Sequence, residues 1–156
     1  MSFILKRKQT GFTIVELLIV IVVIGILAAI TIVAYNGIQD KAKFTKILSD
    51  IKNTQKVLEL YKAQNGTYPV TPSAGWRYSA SNPTDYVPSV VPDFANSLPQ
   101  ISGTPTGSNN YIYKSDGASY QLLRFYSGGI PAGEWAQVPS DMKIGSNTDR
   151  WGASAP

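Results

Sequence analysis

The chain has 156 residues, 14 Lys+Arg against 10 Asp+Glu, a net charge of +4, and neither Cys nor His. That length gives one domain of ordinary size, while the two missing residue types exclude disulfides, thiolate or imidazole metal sites and Ser-His-Asp or Cys-His catalysis. No phosphate loop, dinucleotide fingerprint or nucleophile elbow is present, which leaves an enzyme only carboxylates, Lys, Tyr or Ser and makes a tethered enzyme the poorest reading.

The first eleven residues hold Lys6, Arg7 and Lys8. Residues 12–35 then read FTIVELLIVIVVIGILAAITIVAY, where only Thr13, Glu16 and Thr31 carry polar side chains from Phe12 to Ala34. About 20 apolar residues cross a bilayer as a helix. Lys6, Arg7 and Lys8 before the span place the N-terminus in the cytoplasm and the body outside. A cleaved secretory signal would have a shorter apolar region and a small-x-small site, neither of which is here. A plain single-pass anchor accounts for everything except Glu16. An acid near the bilayer centre costs about 2.5–3.5 kcal/mol on insertion scales, and less near the edge. Glu16 lies about 6 Å along the helix from Phe12, where an α-amino group would be a natural counter-charge. The alternative is a residue at headgroup level without a special role.

Residues 36–65 place Phe44, Ile47, Leu48, Ile51, Leu58 and Tyr61 on one helical face. Six Lys lie in this segment against Asp40, Asp50 and Glu59, mostly off the apolar face. They read as a solvated face, with a subunit contact or a patch for an anionic polymer as the functional alternative. Gly66 supplies a C-cap. Joined to the apolar run, residues 12–65 predict one helix about 80 Å long, which a filament subunit needs and a small soluble domain does not. Asn65-Gly66-Thr67 is also a glycosylation sequon, but the cap explains the same residues.

All ten prolines lie at residue 69 or later. Residues 67–109 have turn composition, with a short helix predicted from Pro92. Two runs, 111–114 and 119–126, flank Asp116-Gly117 and predict a hairpin. Further strands are expected near Glu134–Val138 and Met142–Ile144. The fold class is α+β: a long N-terminal helix, half transmembrane and half amphipathic, packed on a small antiparallel sheet. Most aromatics fall in this part, and they read as core and sheet packing before a stacking platform for sugar or nucleic acid. Residues 66–156 hold five basic and six acidic groups, which argues against nucleic acid as a partner of the head.

The segment KRKQTGFTIVELLIVIVVIGILAAI resembles the N-terminus of type IV pilins and of the related type II secretion and competence pseudopilins. Gly11, Phe12 and Glu16 match the family's leader Gly, its usual Phe, and its acid at the fifth position after cleavage. The resemblance extends to about Gly66. It implies a leader, residues 1–11, removed by a prepilin peptidase between Gly11 and Phe12, with Phe12 then N-methylated. It implies a polymerisation half at 12–35, an amphipathic half at 36–66 and a head at 67–156, divided into loop region 67–109 and sheet 110–156. Glu16 would pair with the Phe12 ammonium of a neighbouring subunit and set axial register. The implied partners are further copies of the chain joined through their N-terminal helices, the peptidase, the pilus assembly machinery, and the membrane before assembly.

The implied function is a structural subunit of a type IV pilus or pilus-like filament, with adhesion and twitching motility among its family roles. The alternative is a minor pilin or a competence or type II secretion pseudopilin with a ligand-binding head. Two departures stand out. Many members have Pro where this chain has Val33, and many close the C-terminal region with a disulfide that this chain cannot form. Packing, hydrogen bonds or an ion must replace it. Some pseudopilins hold calcium in a C-terminal loop, for which Asp141, Asn147 and Asp149 are the weak candidates here. No other cofactor is implied.

Overall fold

A computed structural model describes residues 11–101 and 109–156. Its elements are α1 (Ile14–Asn65), β1 (Arg77–Tyr78), β2 (Asn109–Ser115), β3 (Tyr120–Tyr126), α2 (Ala132–Trp135) and β4 (Arg150–Ala155). The backbone forms two compact units that divide after Gln39. The fold class is the α+β arrangement read from the sequence.

In the first unit, α1 starts at Ile14 and not at Phe12, because Thr13 is its N-cap. Neither Gly25 nor Gly37 interrupts the helix. It is the only helix among the described residues long and apolar enough to cross a membrane. Its large apolar side chains are open to the surroundings, from Phe12 at 85% exposed to Val23 at 48%. Thr31 is the polar residue midway, and its hydroxyl donates to the Leu27 carbonyl one turn back at 2.5 Å. That bond removes the need for an outside partner in an apolar setting.

In the second unit, α1 continues from Asp40 to Asn65 and buries Phe44, Ile47, Ile51 and Leu58. The 3.6-residue period puts these on one side. They join the core formed with one face of the sheet: Tyr111 and Tyr113 of β2, Tyr120 and Leu122 of β3, and Trp151 and Ala153 of β4. The two-residue period of a strand selects those positions. Phe44 meets Trp151 with ring centres 5.6 Å apart, and Tyr68 meets Tyr120 edge-on at 4.6 Å. The helix ends where Gly66, at φ +79°, donates its N–H to the Lys62 carbonyl at 2.7 Å. The positive φ is what makes Gly the fitting residue.

The sheet is antiparallel, in the order β1-β2-β3-β4. The expected β2–β3 hairpin forms, with Ser115 opposite Tyr120 across the Asp116-Gly117 turn. Other expectations fail. Glu134–Val138 is not a strand. Pro131 opens the short helix α2 there, its carbonyl accepting from Glu134 N and Trp135 N, both at 2.9 Å. Met142–Ile144 is not a strand either. Ser140–Met142 is a 3-10 turn, and Lys143 makes only a single bridge to Trp151. The segment after Pro92 is a turn, closed by Phe94 N and Ala95 N on the Val90 carbonyl. The remaining strands are β1, inside the stretch expected to be loop, and β4. In β4, Gly152 is required by close approach, since a Cβ there would sit 2.1 Å from the Leu122 carbonyl oxygen.

Candidate functional site

The N-terminal end of α1 is a reciprocal cap. Thr13 N donates to Glu16 Oε2 at 2.8 Å, the Thr13 hydroxyl donates to the same oxygen at 2.8 Å, and Glu16 N donates to Thr13 Oγ1 at 3.2 Å. The T-x-x-E spacing puts Thr at the N-cap and Glu at the third helical position, where each side chain satisfies the other's backbone N–H. The partial positive charge of the helix N-terminus adds to the attraction for the carboxylate. Both bonds to Glu16 go to Oε2, so Oε1 takes neither of them. Phe12 and Glu16, four residues apart, line a common surface groove with Leu17 and Val20. Gly11 has open space around it. Lys6, Arg7 and Lys8 lie outside the described residues.

This cap is a role for Glu16 that the sequence reading missed, although its signal was present in Thr13 three residues upstream. A carboxylate held in this way shares its groove with Phe12. Along the helix beyond it, fifteen large apolar side chains from Phe12 to Ile32 are exposed. Covering them is worth on the order of 20 kcal/mol at roughly 1.5 kcal/mol per large side chain. Such a face demands lipid or other apolar helices.

The head contributes a second feature, the closure of its C-terminal loop without a disulfide. Arg124 in β3 is 4% exposed, and its Nε lies 3.3 Å from Glu134 Oε1 in α2. The same oxygen accepts from Trp151 Nε1 at 3.0 Å. Arg124 Nη1 also donates to Asn109 Oδ1 and to the Phe125 carbonyl. Backbone bonds from Ile130 N to the Thr148 carbonyl, 2.7 Å, and from Tyr126 N to the Asp149 carbonyl, 2.8 Å, draw the loop ends together. No local sequence pattern announces this latch, because its members come from four separate segments.

The three calcium candidates of the C-terminal loop lie in different surroundings. Both oxygens of Asp149 accept from Arg150, at 2.9 Å each, and the guanidinium holds this carboxyl below the usual Asp range. Asp141 lies in the 3-10 turn and Asn147 in the loop before β4. Among the described residues, no group of three or more acidic side chains gathers around a point.

Known proteins place these features in a family. A family model described as a prokaryotic N-terminal methylation motif matches residues 6–32. A type II secretion system core protein G from Klebsiella michiganensis is 34% identical over 134 residues, covering 81% of this chain and 89% of the relative. Its counterpart from Vibrio cholerae is 34% identical over 111 residues, covering 71% and 74%. A third, from Aeromonas hydrophila, is 42% identical over 66 residues, or 42% of this chain and a little under half of the relative, 46%. No solved structure matches at a significant level. With its methylation motif, long apolar-to-amphipathic helix and four-stranded head, the chain belongs to the family of type II secretion system core protein G, a pilin-like family of structural subunits and not of enzymes.

Proposed function

We propose that this chain is the repeating subunit of a type II secretion pseudopilus, a filament assembled from the inner membrane into the periplasm. The observation that carries this is the uncovered apolar length of α1 with a single carboxylate at its start. The relatives' secretion names support a secretion pseudopilus over an adhesion or motility pilus.

In this reading a prepilin peptidase cuts between Gly11 and Phe12, and Phe12 becomes an N-methylated terminus. Before assembly the subunit is a single-pass membrane protein, with Lys6, Arg7 and Lys8 holding the leader on the cytoplasmic side. During assembly the apolar helices exchange lipid for one another. Glu16 then accepts the Phe12 ammonium of a neighbour while Thr13 keeps the carboxylate in place. A buried acid is tolerated when a cation neutralises it, and a lone polar pair in an apolar seam fixes register. The latch through Arg124, Glu134 and Trp151 keeps the head folded through transfer.

Replacing Glu16 with Ala tests the reading. Processing at Gly11 should continue, seen as the mass of the mature chain, while the amount of filament drops at least about tenfold, since one lost charge pair is worth more than about 1.4 kcal/mol in an apolar setting. Normal filament yield from the processed variant would contradict the assigned role of Glu16.

A further inference from the structure

Two cations of α1 have no partner in their own head. Lys52 and Lys56 are exposed, four residues apart, and form no ion pair among the described residues. Residues 1–10 and 102–108 contain no acid that could serve them. Like charges at this spacing repel. Glu59, three residues after Lys56, is taken by the Tyr68 hydroxyl, which lies 3.1 and 3.2 Å from its two oxygens. With 3.6 residues per turn, Lys52 and Lys56 project away from the buried face of Ile47, Ile51 and Leu58, beyond the flank opposite to Asp50.

The Asp50 flank carries an acid that faces outward. Asp50 Oδ2 accepts from the Tyr111 hydroxyl at 2.8 Å, and the Tyr111 ring stacks on that of Tyr86 with centres 6.5 Å apart. Asp85 directly precedes Tyr86. Its turn is also tied to this stretch of α1 through Gln100, whose Nε2 donates to the Pro83 carbonyl at 2.5 Å and whose carbonyl lies 3.5 Å from Lys46 Nζ. Asp85 is therefore about level with Asp50 along the helix. Arg77 Nη2 donates to Asp85 Oδ2 at 2.8 Å, and Arg77 Nε donates to the Asp85 carbonyl at 2.9 Å, so Oδ1 takes neither bond. The Arg77 side chain is 19% exposed and that of Asp85 58%. The pair thus shows its acidic end to the outside.

We propose that neighbouring heads meet side by side, the Asp85 carboxylate of one copy docking between Lys52 and Lys56 of the next; this rests on the chain being a filament subunit. In a helical filament every group is displaced from its equivalent in the next copy by the same axial step. Pairing of Glu16 with a neighbour's Phe12 makes that step four helical residues, about 6 Å with α1 along the axis. A group level with Asp50 then stands level with residue 54 of the neighbour, midway between Lys52 and Lys56. The charges are complementary, and the incoming acid relieves the repulsion between the two ammonium groups. Two different flanks make a heterologous contact, which repeats along the filament without closing into a dimer. The contact fixes the side on which each copy adds, which apolar helix packing alone leaves weakly specified.

The chain has no Cys, so Lys56→Cys with Asp85→Cys introduces the only two thiols. Filaments of the full-length double variant, treated with a short bis-maleimide, should give a ladder of covalent multimers, while filaments mixed from the two single variants should stop at dimers. Filaments of the double variant without a ladder overturn this contact and leave the pseudopilus reading standing. Absence of filaments from the parent chain removes both. Charge exchange decides independently where the Cys variants assemble poorly. Lys56→Glu should cut filament yield at least about tenfold through like-charge juxtaposition, and adding Asp85→Lys in the same chain should restore most of it. A damaged helix would not be repaired by a change on the far flank of the head. A double variant no better than Lys56→Glu, or a Lys56→Glu chain that assembles like the parent, overturns the proposal.

Discussion

Replacing Glu134 with Gln isolates the electrostatic part of the head's latch. Gln keeps an oxygen that can accept from Trp151 Nε1, so the hydrogen bond of 3.0 Å persists. What disappears is the charge 3.3 Å from Arg124 Nε. The two side chains are 4% and 15% exposed, so little water reaches the abandoned guanidinium. Removing one partner of a buried pair costs roughly 3–5 kcal/mol, a large share of a typical domain's stability of about 5–15 kcal/mol. For a unit the size of this head, the midpoint of thermal unfolding should fall by about 10–20 °C. The readout is the near-ultraviolet circular dichroism of the detergent-solubilised chain, since the apolar half of α1 remains helical in detergent and would mask the change in the far-ultraviolet. Adding Arg124→Met removes the uncompensated charge and should return stability to within about 1.5 kcal/mol of the parent, as apolar replacement of buried pairs commonly does. If Glu134→Gln lies within about 0.5 kcal/mol of the parent, the pair is not what closes this loop.

Gly152→Ala places a methyl 2.1 Å from the Leu122 carbonyl oxygen and 2.8 Å from Leu123 Cα. Both are backbone of a central strand, so β4 must part from β3. A loss of about 3 kcal/mol or more, with release of Trp151 from the core, is expected by denaturant titration of tryptophan fluorescence; an unchanged midpoint contradicts that close approach. Asp116 supplies a pH test. Its carboxyl is held below the ordinary Asp value by hydrogen bonds from Ser119, first from the backbone and then from the hydroxyl. A depressed folded-state value means that the turn's stabilisation is fully present above the unfolded Asp value and is lost as pH falls through the folded one. The Ser119 amide chemical shift should titrate with a midpoint below that of an unstructured Asp, and a midpoint at or above it refutes the turn geometry.

The sequence disclosed most where a single local pattern decides the outcome. Twenty-three residues from Phe12 to Ala34 with three polar side chains can only be an apolar helix, and the face of Phe44, Ile47, Ile51 and Leu58 repeats often enough to be read directly. Asp116-Gly117 between two aromatic runs fixed the hairpin for the same reason. Failure came where distant segments decide. Arg150–Ala155 does not read as a strand, because Gly, Ala and Ser have little strand preference, yet pairing with β3 and the burial of Trp151 make it one. Glu134 to Val138 has a strand-like composition, but Pro131 turns it into a helix. The Thr13–Glu16 cap is legible as a four-residue T-x-x-E motif. Arg124, Glu134 and Trp151 were not legible as a group, because nothing local links residues ten to seventeen positions apart on different elements.

Net charge also changes meaning once the leader is set apart. Without residues 1–11 the chain keeps 11 of its 14 basic side chains and all 10 acidic ones, so the basicity belongs chiefly to the proposed targeting segment. That makes the mature N-terminus the place to test the account. Intact mass and terminal sequencing of the protein recovered from sheared filaments should show a chain that begins at Phe12 and carries one added methyl group on its terminal nitrogen. A chain that still begins at Met1, or one recovered only from membranes and never from filaments, would contradict the assignment of this protein as a processed filament subunit.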